Sequence, residues 1–167
     1  FLKTVLNQAL NEELISRNPY KKFRLKKIES RIKYLTKEEL NLIEQVNLSD
    51  NELLDNARDV FIFSVYTGLR FGDAQSLKTV NLKLINNRLF YALDQQQKTK
   101  CSIENPLLPK AIEIINKYQG SPERIIEGTL LPKISNAKIN KCLKEVARKV
   151  GINPNLHHHM ARHTFAT

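Results

Sequence analysis

Cysteine is scarce in these 167 residues: Cys101 and Cys142 are the only two, and they have no metal-ligand spacing. The pair predicts reduced thiols in a cytoplasm rather than a disulfide framework. No apolar run approaches the roughly 20 residues a membrane span needs, and no signal peptide is visible. Internal repeats and low-complexity tracts are absent too. The run His157-His158-His159 has no cysteine or carboxylate nearby to complete a ligand set, and consecutive positions point in different directions on a helix. Neither a metal nor another cofactor is therefore expected. Acidic residues are also few, 17 against 27 Lys+Arg, which leaves a net charge of +10. Neutralising phosphates releases condensed counterions, so this excess favours a polyanionic partner. A chain of 19.3 kDa can bury one respectable core but hardly two.

Apolar residues at Leu2, Val5, Leu6, Ala9, Leu10, Leu14 and Ile15 recur with helical period and predict a helix over residues 1–17, stopped by Asn18-Pro19. Residues 20–27 are basic with interleaved aromatics and read as an extended linker. Thr36-Lys37-Glu38-Glu39 is a capping box that starts a helix reaching about Val46. A second helix is expected over 53–67. Asp55, Arg58 and Asp59 lead amphipathically into its apolar run 60–65, and Gly68 closes it. Strands at 82–84 and 88–93 are joined by Asn86-Asn87, residues that tolerate the positive φ of a tight hairpin. Residues 101–108 add a third strand. Helices follow at about 110–118 and 136–150, the latter capped by Ser135 and closed by Gly151. The expected fold is mainly α with one small antiparallel three-stranded β-sheet (α+β).

Two motifs carry chemistry. Tyr66-Thr67-Gly68-Leu69-Arg70-Phe71-Gly72-Asp73-Ala74 presents Arg70 at a turn after a buried helix, with Asp73 close enough to brace it. His159-Met160-Ala161-Arg162-His163-Thr164-Phe165-Ala166-Thr167 starts a helix with His159 and Arg162 at i and i+3, on one face. A planar guanidinium fork and an imidazole so placed could grip one phosphate. His163 reads as structural, pointing away from that face.

Thr-Gly-Leu-Arg-x-x-Asp followed much later by His-x-x-Arg-His-Thr-Phe-Ala-Thr resembles the tyrosine recombinases, the integrases of phages and conjugative transposons. Gln97-Lys98-Thr99-Lys100 agrees with this, because it lies between two strand-like runs where that family carries an active-site lysine on a β-hairpin. Spacing back from Pro106 favours Lys98 over Lys100. The resemblance covers nearly the whole chain. It implies site-specific DNA recombination through a 3′-phosphotyrosyl intermediate, with no metal or cofactor. The implied partners are double-stranded DNA attachment sites and further copies in a tetrameric synapse, in a bacterial cytoplasm at the nucleoid.

Under the same resemblance Arg70 and Arg162 clamp the phosphate, and His159 hydrogen-bonds it and manages the nucleophile's proton. Lys98 protonates the leaving 5′-hydroxyl, Asp73 orients Arg70, and Lys100 is a further DNA contact. Residues 1–30 become the last helix of a core-binding domain plus a basic linker, and 31–167 a catalytic domain lacking its C-terminal helices. The family's nucleophilic tyrosine lies beyond the His-x-x-Arg helix, after a further histidine or tryptophan. None of Tyr20, Tyr34, Tyr66, Tyr91 and Tyr118 follows Arg162, so this polypeptide is expected to bind DNA weakly and form no covalent adduct. Two other readings stay open: a non-catalytic DNA-binding or regulatory module on the same scaffold, and a type IB topoisomerase.

Overall fold

The computed structural model describes residues 1–23, 34–94 and 102–167. The chain divides into two compact units, Phe1–Arg31 and Ile32–Thr167. The first holds α1 (Leu2–Asn11), none of whose residues is buried. The helix ends well before residue 17. Glu13 takes φ +60°, Leu14 N–H bonds back to the Ala9 carbonyl, and Asn18 Nδ2 donates to Asn7 Oδ1 at 2.5 Å. The left-handed turn at Glu13 is what stops the helix short of the apolar period. Residues 20–23 are also not extended: Phe23 N–H bonds to the Tyr20 carbonyl, and the two rings meet edge to face at 5.7 Å. The rest of the expected linker lies outside the described residues.

In the second unit the chain runs α2 (Lys37–Gln45), α3 (Glu52–Thr67), α4 (Phe71–Ser76), a 3₁₀ turn at Thr79–Asn81, β1 (Leu82–Ile85), β2 (Arg88–Leu93) and β3 (Ile103–Pro106). It continues with α5 (Pro109–Lys117), α6 (Pro122–Glu127), α7 (Asn136–Lys149) and α8 (Met160–Phe165). The capping box forms as the sequence predicts, with Thr36 accepting from Glu39 N–H and the Glu39 carboxylate accepting from Thr36 N–H. α3 is the axis of the core: Ala57, Val60, Phe61 and Phe63 are fully buried, and α2, α4, α5, α7 and α8 all pack on it. The sheet is antiparallel in the order β1-β2-β3, with Leu82 opposite Tyr91 and Tyr91 opposite Asn105. Asn86 and Asn87 take φ +48° and +60°, as the two-residue hairpin requires.

Two further expectations are corrected. The third strand is shorter than 101–108: Cys101 lies outside the described residues, and Leu108 already serves as N-cap of α5. α6 was not expected. It has a serine cap at Ser121 and Pro122 in its first turn, yet Ile125 and Ile126 are exposed, so no inward apolar stripe announces it. Asp59, one of the polar residues leading into the apolar run of α3, is itself buried, at 3% exposed. Arg58 Nε and Nη2 reach it at 3.0 and 2.9 Å, Lys117 Nζ at 2.5 Å, and the Tyr118 hydroxyl at 2.8 Å. Arg58 also pairs with Asp55 and donates to the Val46 carbonyl at the end of α2.

Candidate active site

α3 ends at Gly68, which takes φ +67° and donates its N–H to the Ser64 carbonyl. A side chain at this position would be strained twice. The left-handed backbone disfavours it, and a Cβ would lie 2.7 Å from Cδ1 of Phe165. The bare glycine lets α8 settle against the end of α3. Arg162 Nη1 then donates to the Gly68 carbonyl at 2.9 Å across 94 residues of sequence. The two motifs meet at this bond.

Arg70 is the N-cap of α4 and His159 the N-cap of α8. Together with Arg162 they line one cleft of about 430 Å³, which Asn136, Asn140 and His157 line as well. His159 is exposed and Arg162 half-buried. Asp73 is 1% exposed on α4. The charges of Asp73 and Arg162 both act on the Tyr91 hydroxyl, Arg162 lowering its pKa and Asp73 raising it, which puts all three in one neighbourhood. Lys98 and Lys100 lie outside the described residues. His163 does not point away from His159: their rings pack edge to face at 4.8 Å, because i and i+4 share a helix face.

His158, the middle of the histidine run, is the residue the sequence reading missed. It is 3% exposed, with Nε2 3.1 Å from Ser64 Oγ and its ring edge-on to Phe61 and Phe71. Asn140 Oδ1 accepts its backbone N–H at 2.8 Å. Burial is the main force pushing its pKa down, to about 4, so the ring stays neutral and serves as packing between α3, α4 and α7. Apolar neighbours flanking Ser64 and Arg70 were its only signal in sequence. His157 is exposed, its Nδ1 3.0 Å from the Asn155 carbonyl oxygen. The three rings therefore diverge, and no group of three metal-binding side chains occurs among the described residues.

The tyrosines are engaged elsewhere. Tyr66 donates to Glu44 at 2.8 Å, and burial followed by that carboxylate raises its pKa to about 12. Tyr118 donates to Asp59, with burial and then the Asp59 charge pushing its pKa up. Tyr91 donates to the Thr67 carbonyl. Tyr34 lines a separate cleft with Glu39, Ile152 and Asn155. No tyrosine is found in the arginine cleft among the described residues. Beside that cleft α7 exposes Lys138, Lys141, Lys144, Arg148 and Lys149, a basic face suited to a polyanion.

A family model described as the phage integrase family matches residues 33–167. The tyrosine recombinase XerC of Listeria monocytogenes serotype 4a (strain HCC23) is 25% identical over 175 residues, covering 99% of this chain and 58% of the relative. The chain thus spans little more than half the length of that protein. A lambda integrase (75–356) dimer bound to a COC′ core site superposes with a TM-score of 0.73 at 22% identity, over 99% of this chain and 62% of that one. A lambda integrase tetramer bound to a Holliday junction gives 0.71 at 22%, over 99% and 50%. These two likenesses show the fold.

Proposed function

The chain belongs to the phage integrase family, and we propose that it is the strand-cleaving part of a site-specific DNA recombinase. The observation that carries this reading is the shared cleft of Arg70, His159 and Arg162, with Arg162 anchored on the carbonyl of Gly68. Attack on a phosphodiester builds charge on its non-bridging oxygens, and donors fixed in advance at that charge are usually the largest catalytic contribution. Arg70 and Arg162 supply paired, charge-assisted bonds. His159 hydrogen-bonds the same phosphate, Asp73 orients Arg70, Lys98 is the general acid for the leaving 5′-hydroxyl, and Lys100 contacts the backbone.

The nucleophile is a tyrosine other than the five present. Tyr66, Tyr91 and Tyr118 are already committed to Glu44, Thr67 and Asp59, and neither Tyr20 nor Tyr34 lines the arginine cleft; in this reading the 167 residues by themselves bind DNA weakly and form no covalent bond to it. In this reading residues 1–30 are the last helix and linker of a core-binding domain, and 31–167 belong to the catalytic domain. The parent protein acts in the cytoplasm on double-stranded attachment sites, as a tetramer like the lambda integrase bound to a Holliday junction.

The test is Arg162→Ala in the parent protein, assayed for covalent protein–DNA adduct on nicked duplex. Adduct formation should fall by about 10²- to 10³-fold while duplex binding weakens only slightly. An unchanged adduct yield would remove Arg162 from the chemistry. A parent protein that binds duplex but never forms an adduct would be a DNA-binding module. Relaxation of supercoiled DNA without partner exchange would indicate a topoisomerase.

A further inference from the structure

Tyr91 lies in the middle of β2 and is fully buried, an unusual place for a hydroxyl unless it has partners. It has two. The hydroxyl donates to the Thr67 carbonyl at 2.8 Å, and Asn105 Nδ2, directly across on β3, donates to the hydroxyl oxygen at 3.2 Å. Burial is the main influence raising its pKa, which favours the protonated hydroxyl that donates to Thr67.

The carbonyl it holds matters because of its neighbour. The last carbonyls of a helix have no partner within the helix and take one from outside. At the end of α3 the Thr67 carbonyl takes the Tyr91 hydroxyl, and the Gly68 carbonyl takes Arg162 Nη1. These two carbonyls belong to adjacent peptide units, so the orientation of one constrains the other. Thr67 is further fixed by its own side chain, whose hydroxyl donates to the Phe63 carbonyl at 2.8 Å. Gly68, with no side chain and a left-handed φ, is the pliable member of the pair. Its carbonyl direction depends on what is pinned on either side.

We propose that Tyr91 is a positioning residue for the anion-binding cleft: the Asn105–Tyr91–Thr67 chain holds the end of α3 so that the Gly68 carbonyl aims Arg162 at the phosphate. This rests on the reading of Arg162 as a phosphate ligand. Tyr91 touches no substrate and acts through the peptide units of Thr67 and Gly68. The sheet is thereby part of the site's support as well as of its framework.

The experiment titrates the 167-residue protein with inorganic phosphate and follows the Arg162 Nε–Hε resonance by NMR, assigned by its loss in Arg162→Lys. Tyr91→Phe keeps the ring and deletes the hydroxyl. It should weaken the phosphate response of Arg162 by about 3- to 10-fold, the range set by one lost buried hydrogen bond, at a temperature where the variant is fully folded. Asn105→Ser, which alters the donor without touching the core, should weaken it less and in the same direction. It carries the test if Tyr91→Phe folds poorly. A lower melting temperature with an unchanged phosphate affinity at Arg162 would make Tyr91 a purely structural residue and overturn the proposal, while leaving the phosphate reading intact. No response of wild-type Arg162 to phosphate would sink the phosphate reading and the proposal with it.

Discussion

At the N-terminal end of α3, Arg58 is bonded to the carboxylates of Asp55 and Asp59 and to the Val46 carbonyl, while Lys117 and Tyr118 close over the same aspartates. At the other end, Arg162 is anchored on the carbonyl of Gly68 and faces a cleft of about 430 Å³. Both are arginines beside one helix, and the difference is the charge of the anchor. Carboxylates cancel the guanidinium of Arg58, which leaves a locally balanced cluster. A peptide carbonyl orients Arg162 without itself cancelling the charge, and the guanidinium lines the cleft. An arginine whose donors are taken up by two carboxylates, as at Arg58, is thus a poorer binding-site candidate than one that lines a cleft.

The contrast breaks most forcefully at Asp59. Asp59→Ala leaves Arg58 and Lys117 without the buried carboxylate they share, and it should lower the unfolding free energy by about 3–5 kcal/mol, measured by urea titration. Phosphate binding at Arg162 should survive below the transition. A loss under about 1 kcal/mol would mean the cluster behaves as an exposed pair.

A smaller effect sharpens the other end. Burial pushes the pKa of His158 down from its ordinary 6.5 to about 4, so the fold favours its neutral form. That stability is fully present above pH 6.5 and is lost as pH falls towards 4. Between pH 7 and 4.5 it amounts to roughly 2–3 kcal/mol. Unfolding free energies at the two pH values should therefore diverge less in His158→Gln than in the parent sequence. Equal divergence would place the acid sensitivity in other groups.

The smallest expected change is at Gly68. Gly68→Ala should cost about 1–2 kcal/mol from its left-handed backbone, with a further loss as Phe165 is pushed aside. Adding Phe165→Leu should restore part of that further loss in thermal melts. No recovery would assign the whole effect to the backbone.

Local signals in the sequence were read correctly where local physics decides. The Thr36–Glu39 capping box, the Gly68 stop and the Asn86-Asn87 hairpin each depend on a few adjacent residues, and the strands and the long helices follow from apolar period. Misses occurred where partners are distant. Nothing near Asp59 in sequence reveals that Lys117 and Tyr118 will cover it, and a tyrosine in a strand gives no sign that its hydroxyl will find Thr67. His158 carries no sequence signal of its own beside His159, and only the structure shows Ser64, Phe61 and Phe71 around it. α1 erred the other way, since its apolar period runs on past the left-handed turn at Glu13 that ends the helix. For the site, the motifs brought Arg70, His159 and Arg162 to one place, as their shared cleft shows, but they missed the stacking of His163 on His159.

The bond from Arg162 to Gly68 joins residues 94 positions apart, and the bond from Leu35 N–H to Thr164 Oγ1 joins residues 129 apart. Contacts of such separation are made only after most of the intervening chain is in place. A nascent polypeptide stalled before α8 would carry Arg70 but have no cleft. The meeting of Arg70 with His159 and Arg162 is therefore deferred until α8 has been made and has folded against α3, a form of timing set by topology alone.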